Sequence, residues 1–443
     1  MKKKEIVIIG LGKIGSALVH NFCSKNFFVY GFDIKKNDVN GFGKNFCRAS
    51  SITQLISLSK TPRLVFLVLP SGKANLQTIN RLCTLIQEKD TVIDMSNSFY
   101  KDAEKFQKKY ALMGKTYIDV GVSGGISGAK KGPSLMVGNK KNISNNLYQV
   151  LEKISAKNRG KPCVGYYEKP GSGHFVKMIH NFLEYTEMQL IAETVNCLSK
   201  VYELNNDQIS DFINQLLISD KSSYLLKITK KIIEDKLFKE NNQTKNQPIK
   251  HNGTAKWAAQ VSLQIESYTP SLFCALLERI SLSQNRSNFI NDREKSTKKI
   301  EFNMSKKSDL LLSYIVCRSS VYLQLLAMID RINNELKFNL DPSVISSNWR
   351  NGSIVKSDFL KLLTKNKTHF LTSSQTRLNE NFNRAFATVL SDTTVKCMPI
   401  PVMYSSWQYL QNYESQLSIA EIVGHQRLIF GGHARSELDK SNL

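Results

Sequence analysis

The sequence predicts an α/β domain at the N-terminus, a large all-α domain after it, and a short C-terminal tail. Three observations carry that prediction. Apolar strand-like runs alternate with helix-like stretches through the first third of the chain. A glycine-rich loop follows the first of those runs. Past residue 171 the strand signals fade and long periodicities of 3.6 residues take over.

The first apolar run covers residues 5–9, and Gly10-Leu11-Gly12-Lys13-Ile14-Gly15 turns from it into a helical pattern at 14–24. The first glycine permits the tight turn and the second lets backbone approach a pyrophosphate. The third lets helix and sheet pack closely, so the loop points to a Rossmann-type dinucleotide-binding domain. Further strand candidates lie at 28–32, 64–69, 91–94 and 117–120, with helical patterns between them. Such alternation gives a mostly parallel sheet with right-handed crossovers. The second strand ends in Phe32-Asp33-Ile34-Lys35-Lys36. An acid there normally accepts the ribose hydroxyls of NAD and repels the extra phosphate of NADP. Lys35 and Lys36 offer that phosphate a cation, so Asp33 leaves both cofactors open. Asn97 follows the fourth strand and Ser123-Gly124-Gly125 the fifth, where ligands bind in open α/β sheets. Long helical periodicities at 174–202, 206–217 and 308–334 build the second domain, and the Asn-, Gln- and Lys-rich stretch 239–252 reads as a loop. The expected division is 1–170, 171–424 and a tail at 425–443.

A chain of 443 residues is too long for one small core. Its 41% hydrophobic and 22% charged residues describe an ordinary globular protein. The apolar run after Met1-Lys2-Lys3-Lys4-Glu5 is too short for a signal peptide, and no segment reads as long and apolar enough to cross a bilayer. Eight cysteines are scattered without a Cys-x-x-Cys pair, which suits reduced thiols in the cytoplasm and neither a disulfide frame nor a metal site. The net charge of +24 is spread along the chain with no basic arm, which argues against a nucleic-acid binder. A positive field still favours capture of an anionic substrate.

Gly171-Ser172-Gly173 opens the most informative helix. Lys177, His180, Asn181 and Glu184 fall on one face of it. Lys177 and Glu184 stand two turns apart, about 10 Å along the axis. A base and an acid with an imidazole and an amide between them suit two proton transfers at different atoms of one substrate. The same spacing also describes a solvated polar stripe.

Together with the glycine loop, further motifs carry a resemblance. These are Val122-Ser123-Gly124-Gly125, Lys131-Gly132-Pro133-Ser134-Leu135-Met136, Gly253-Thr254-Ala255-Lys256-Trp257, Trp349-Arg350-Asn351-Gly352, and Arg427 six residues before His433. In this order, and almost from end to end, the chain resembles the 6-phosphogluconate dehydrogenases of the pentose phosphate pathway. The resemblance implies NADP-dependent oxidative decarboxylation of 6-phosphogluconate. It implies Lys177 as general base and Glu184 as the acid that protonates the decarboxylated intermediate. His180 and Asn181 would orient the substrate, and Asn97 would touch both cofactor and substrate. Tyr185, Arg279, Arg427 and His433 would reach the phosphate, with Ser123, Gly124, Gly125 and Thr254 completing the substrate site. In the family the last Arg and His come from a partner subunit, so a homodimer with shared sites is implied.

Five positions depart from the family pattern: Asp33, Met95, Ser96, Phe182 and Asn252, the last standing where a lysine is usual. Two other readings therefore stay open. One is a related β-hydroxyacid dehydrogenase, although such chains are shorter and lack the tail. The other is a catalytically impaired homologue acting as a binding protein, against which stand the intact Lys177 and Glu184.

Overall fold

The computed structural model describes residues 3–35, 42–235, 253–284, 300–364, 375–412 and 416–431. Among the described residues the N-terminal part holds ten strands: β1 (Glu5–Ile9), β2 (Phe28–Phe32), β3 (Phe46–Arg48), β4 (Leu64–Leu67), β5 (Thr91–Asp94), β6 (Thr116–Ser123), β7 (Ser134–Val137), β8 (Lys157–Asn158), β9 (Lys161–Pro162) and β10 (Val164–Tyr166). Eight form one sheet in the order β10-β7-β6-β5-β4-β1-β2-β3, while β8 and β9 make a small antiparallel ribbon. All pairs in the large sheet are parallel except β6 with β7. The apolar runs in β1, β4 and β5 are continuous and not alternating because helices cover both faces of the sheet. The strand order reverses between β1 and β4, with Ile9 registered against both Phe32 and Leu67. A crevice opens at the carboxyl ends of strands at such a switch point.

Expected strands and observed ones coincide at 5–9, 28–32 and 91–94, while the first long helix begins at Lys13. The fourth observed strand stops at Leu67 and β6 runs on to Ser123. The edge strands β3 and β10, and β7 beside β10, had no counterpart in the sequence reading. The expected helix at 174–202 ends its α-helical part at Asn196 and continues as one wider π turn, Cys197–Val201. The stretch expected to be a loop at 239–252 lies outside the described residues. Helix Gln416–Gly431 runs across the point expected to separate helical domain from tail.

One expectation needs correcting. Helix Met304–Leu336 is long and apolar enough to cross a membrane by length and composition. However, 67% of its most apolar window is buried inside the protein. It is the central helix of the second part, with Tyr314, Cys317, Val321, Tyr322 and Leu325 in the core. A helix apolar on most sides is what full burial requires.

Candidate active site

Loop geometry sets the cofactor end. Gly10 has φ +99°, and a Cβ there would lie 2.3 Å from the Val68 carbonyl oxygen. A Cβ on Gly15 would lie 1.9 Å from the Gly10 carbonyl oxygen, so only glycine lets the helix pass so close to the strand. A Cβ on Gly12 would meet nothing within 4 Å. That side faces open space, which is where a pyrophosphate would need to approach backbone. Asp33 is engaged by the protein itself. Its Oδ2 accepts from the Leu11 N–H at 2.7 Å and its Oδ1 from the Lys35 N–H at 2.8 Å.

The catalytic end is built around helix Ser172–Asn196, which lies against β6 and β7. Asp119 of β6 is buried, and its two oxygens accept from the Gly171 N–H at 2.8 Å and the His174 N–H at 3.0 Å. A carboxylate there satisfies orphan amides and complements the helix dipole. Gly121, also on β6, fixes how close the lysine sits. A Cβ there would lie 2.5 Å from the Lys177 Cβ and 2.8 Å from the Gly173 carbonyl oxygen.

Side chains two turns apart are bridged by the imidazole between them. Lys177 Nζ lies 3.5 Å from His180 Nδ1, and Glu184 Oε2 lies 3.6 Å from the same nitrogen. His180 Nε2 is 2.8 Å from Ser123 Oγ and 2.9 Å from Ser353 Oγ. Burial, then the neighbouring Lys177 charge, holds His180 well below its ordinary pKa, so the ring is neutral and its contact with Glu184 is no ion pair. Burial also lowers the Lys177 pKa, against the opposing pull of Glu184. Burial raises the Glu184 pKa, while Lys177 and Arg279 pull it back. The lysine is therefore easier to deprotonate and the glutamate easier to protonate than in water. A base and an acid need those shifts.

A cleft of about 1350 Å³ brings most of the expected residues together. Gly10 to Gly15, Asp33 and Lys35 line its cofactor end, and Asn97, Ser123, Gly124, Gly125, Lys177, Asn181, Glu184 and Tyr185 line the other. His180 is fully buried behind this surface. Asn181 donates through Nδ2 to Thr254 Oγ1, which fixes its amide. The Arg279 guanidinium lies 4.7 Å from the centre of the Tyr185 ring, a cation–π contact that places a cation beside the cleft. Arg427 is exposed on helix Gln416–Gly431 and does not line the cleft; His433 and Asn252 lie outside the described residues.

Two of the departures, Phe182 and Ser96, find physical roles. Phe182 is fully buried in the helical core. Ser96 accepts from the Leu69 N–H at 3.0 Å, and its own N–H donates to Asp94 Oδ1 at 2.9 Å, which braces the loop that carries Asn97.

Sequence reasoning missed Ser353, Asp119 and a buried ion network. Ser353 directly follows the quoted Trp349-to-Gly352 motif, so the signal stood one residue away. It is delivered to His180 because Asn348 donates to the Leu135 and Cys163 carbonyls at 2.8 and 2.9 Å and Gly352 accepts from the Ser134 N–H at 2.9 Å. Asp119 was visible as a lone carboxylate inside an apolar strand. Arg318 gave no local signal. It donates to Glu187 through Nε at 3.0 Å and Nη2 at 2.9 Å, and to Asp220 through Nη1 at 2.7 Å.

Comparison with known proteins adds an independent line. Residues 5–167 match the NAD binding domain of 6-phosphogluconate dehydrogenase, and residues 173–443 match its C-terminal domain. A Bacillus subtilis relative named 6-phosphogluconate dehydrogenase, NADP(+)-dependent, decarboxylating, is 28% identical over 100% of this chain and 98% of its own. A Caenorhabditis elegans 6-phosphogluconate dehydrogenase, decarboxylating, is 30% identical over 99% of this chain and 95% of its own. The solved structure of the Plasmodium falciparum 6-phosphogluconate dehydrogenase, described with NADP+ and with 6-phosphogluconate, superposes with a TM-score of 0.83. It is 26% identical and the match covers 97% of both chains.

Proposed function

The chain belongs to the 6-phosphogluconate dehydrogenase family, and from that premise we propose how its own residues perform the family's reaction. It is an oxidoreductase that oxidatively decarboxylates 6-phosphogluconate to ribulose 5-phosphate and carbon dioxide with reduction of NADP. The observation that carries the mechanism is the Lys177–His180–Glu184 row, two contacts of 3.5 and 3.6 Å at the cleft wall.

NADP fits the residues present. Backbone at Gly12 faces open space, and both Asp33 oxygens are drawn to the protein's own N–H groups at Leu11 and Lys35. When bound, its nicotinamide accepts the hydride. Lys177, as the free amine, takes the proton of the substrate hydroxyl as that carbon is oxidised. As the resulting 3-keto acid loses carbon dioxide, the Lys177 ammonium returns its proton to the new carbonyl oxygen, so the electrons left behind are held as a neutral enediol; Lys177 takes that proton up again when the enediol becomes the ketone. Glu184, as the carboxylic acid, then delivers a proton to the carbon that lost the carboxylate. Asn181 and Asn97 orient the substrate, Ser123 and the Gly124-Gly125 backbone meet its carboxylate, and Tyr185 with Arg279 faces the phosphate. Neutral His180 holds Lys177, Ser123 and Ser353 in one arrangement without adding charge.

The remaining phosphate ligands belong to the partner of a homodimer. Two observations support this: Arg427 lies off the cleft of its own subunit, and its helix exposes Ile419, Ile422, Val423, Ile429 and Phe430. A row of apolar side chains in water is a surface awaiting a partner. Neither nucleic acid nor membrane enters this reading. We place the enzyme in the cytoplasm, where eight cysteines free of disulfides are at home.

An absorbance assay at the reduced-nicotinamide band tests the function. NADP with 6-phosphogluconate should give reduced cofactor and carbon dioxide in equal amounts, and NAD should serve less well. Reduction without carbon dioxide would point to the β-hydroxyacid dehydrogenase alternative, and no reduction to an impaired homologue.

A further inference from the structure

A second cavity, about 660 Å³, shares Gly124 and no other lining residue with the catalytic cleft. Its volume falls in the range of about 300–1,000 Å³ typical of small-molecule sites. Lys25, Lys131, Lys153, Lys157 and Lys356 line it, with no aspartate or glutamate among the lining residues. They come from distant places in the sequence: the end of helix Lys13–Ser24, helix Gly125–Lys131, helix Asn145–Ile154, β8, and the segment after helix Pro342–Trp349. Among the described residues, none of the five forms an ion pair. Lys356 Nζ instead donates to Asn351 Oδ1 at 3.0 Å, and Lys153 Nζ lies 5.0 Å from the centre of the Phe27 ring.

Five lysines around one cavity with no carboxylate on its lining repel one another. A bound anion with several charges removes the repulsion and gains from each lysine. We propose that this cavity binds a compact polyanion, a metabolite bearing two or more phosphate or carboxylate groups, separately from substrate and cofactor. Its volume suits a small molecule better than an extended phosphate backbone. The wall it touches matters, because Ser353 lies on it and is the residue whose hydroxyl meets His180 Nε2 at 2.9 Å. The inference rests on the cavity and does not depend on the roles given to Lys177 and Glu184.

Inorganic pyrophosphate is the probe. It is titrated calorimetrically into the full-length protein saturated with NADPH and 6-phosphogluconate, a pair that cannot turn over and that fills both ends of the cleft. Saturable binding is expected, weakening as salt rises. The Lys25→Gln/Lys153→Gln variant should bind pyrophosphate at least tenfold more weakly, with NADPH affinity unchanged. No binding once the cleft is filled would overturn the proposal, and so would equal affinity in the variant. Should the double variant fail to fold, Lys131→Gln at an exposed position makes the same comparison: weaker binding supports the site, unchanged affinity removes it.

Discussion

Lys177 has to be neutral before it can accept a proton, so the rate of hydride transfer should rise with pH through the lysine's pKa. Burial lowers that pKa and the Glu184 charge holds it up. Glu184→Gln removes the second effect and leaves the first. The rising limb of single-turnover NADP reduction should therefore move to lower pH in this variant, while release of the final product slows because the acid is gone. A limb that stays in place, or moves upward, would separate the two side chains. At this scale the sequence was informative where spacing is local. Lys177, His180, Asn181 and Glu184 share a face because a helix has 3.6 residues per turn, and no tertiary knowledge was needed. Ser353 meets His180 across 173 residues of chain, so no periodicity could announce it. Asp33 was read by its position at a strand end, and only the structure gives its partners, the Leu11 and Lys35 amides.

The site helix is held in place as an element by groups that never touch substrate. Asp119 fixes its first turn from the sheet, and Arg318 of the central helix fixes its middle through Glu187. Tyr322 also donates to Glu187, at 2.7 Å, and Ser357 donates to Asp220. Burial pushes the Asp220 pKa up, but the Arg318 charge and three hydrogen bonds outweigh it and the carboxyl ends below its usual range. Arg318→Met would leave Glu187 and Asp220 buried without their cation, and removing one partner of a buried pair costs about 3–5 kcal/mol. The expected outcome is a clear fall in the midpoint of chemical denaturation. A midpoint within error of wild type would mean that the network contributes little. Elements were legible where their own residues carried an apolar or periodic run, down to the four-residue β5. The central helix and the first strands declare themselves by long periodic or apolar runs. Strands β3, β7 and β10 are three or four residues each and are defined by their neighbours in the sheet. The central helix also shows how burial misleads: with Tyr314, Cys317, Val321 and Leu325 all facing protein, its composition passes for a membrane span.

For the whole molecule, the reading requires that one subunit supply the Lys177–Glu184 row and the other supply Arg427 and His433. Lys177→Ala and Arg427→Ala should each fail for different reasons. The first loses its base. The second loses a charge-assisted phosphate contact worth about 1.5–3 kcal/mol, a rise in KM of about ten- to a hundredfold. Co-expressed, they should form mixed dimers in which one site regains every group, restoring activity at low substrate. No gain over the single variants would exclude shared sites. The fold class and the order of the two structural parts were readable from the chain alone, because they follow from alternating and then purely helical patterns. The proposed sharing of sites came only through the family resemblance, because no periodicity or spacing says that Arg427 stays off the cleft of its own subunit. The most direct test of the account is the turnover of Lys177→Ala protein with NADP and 6-phosphogluconate, followed at the reduced-nicotinamide band beside an NADP-binding titration. Loss of a positioned base should slow the reaction by about 10²–10⁴-fold with cofactor affinity unchanged. Turnover at the wild-type rate would contradict the account.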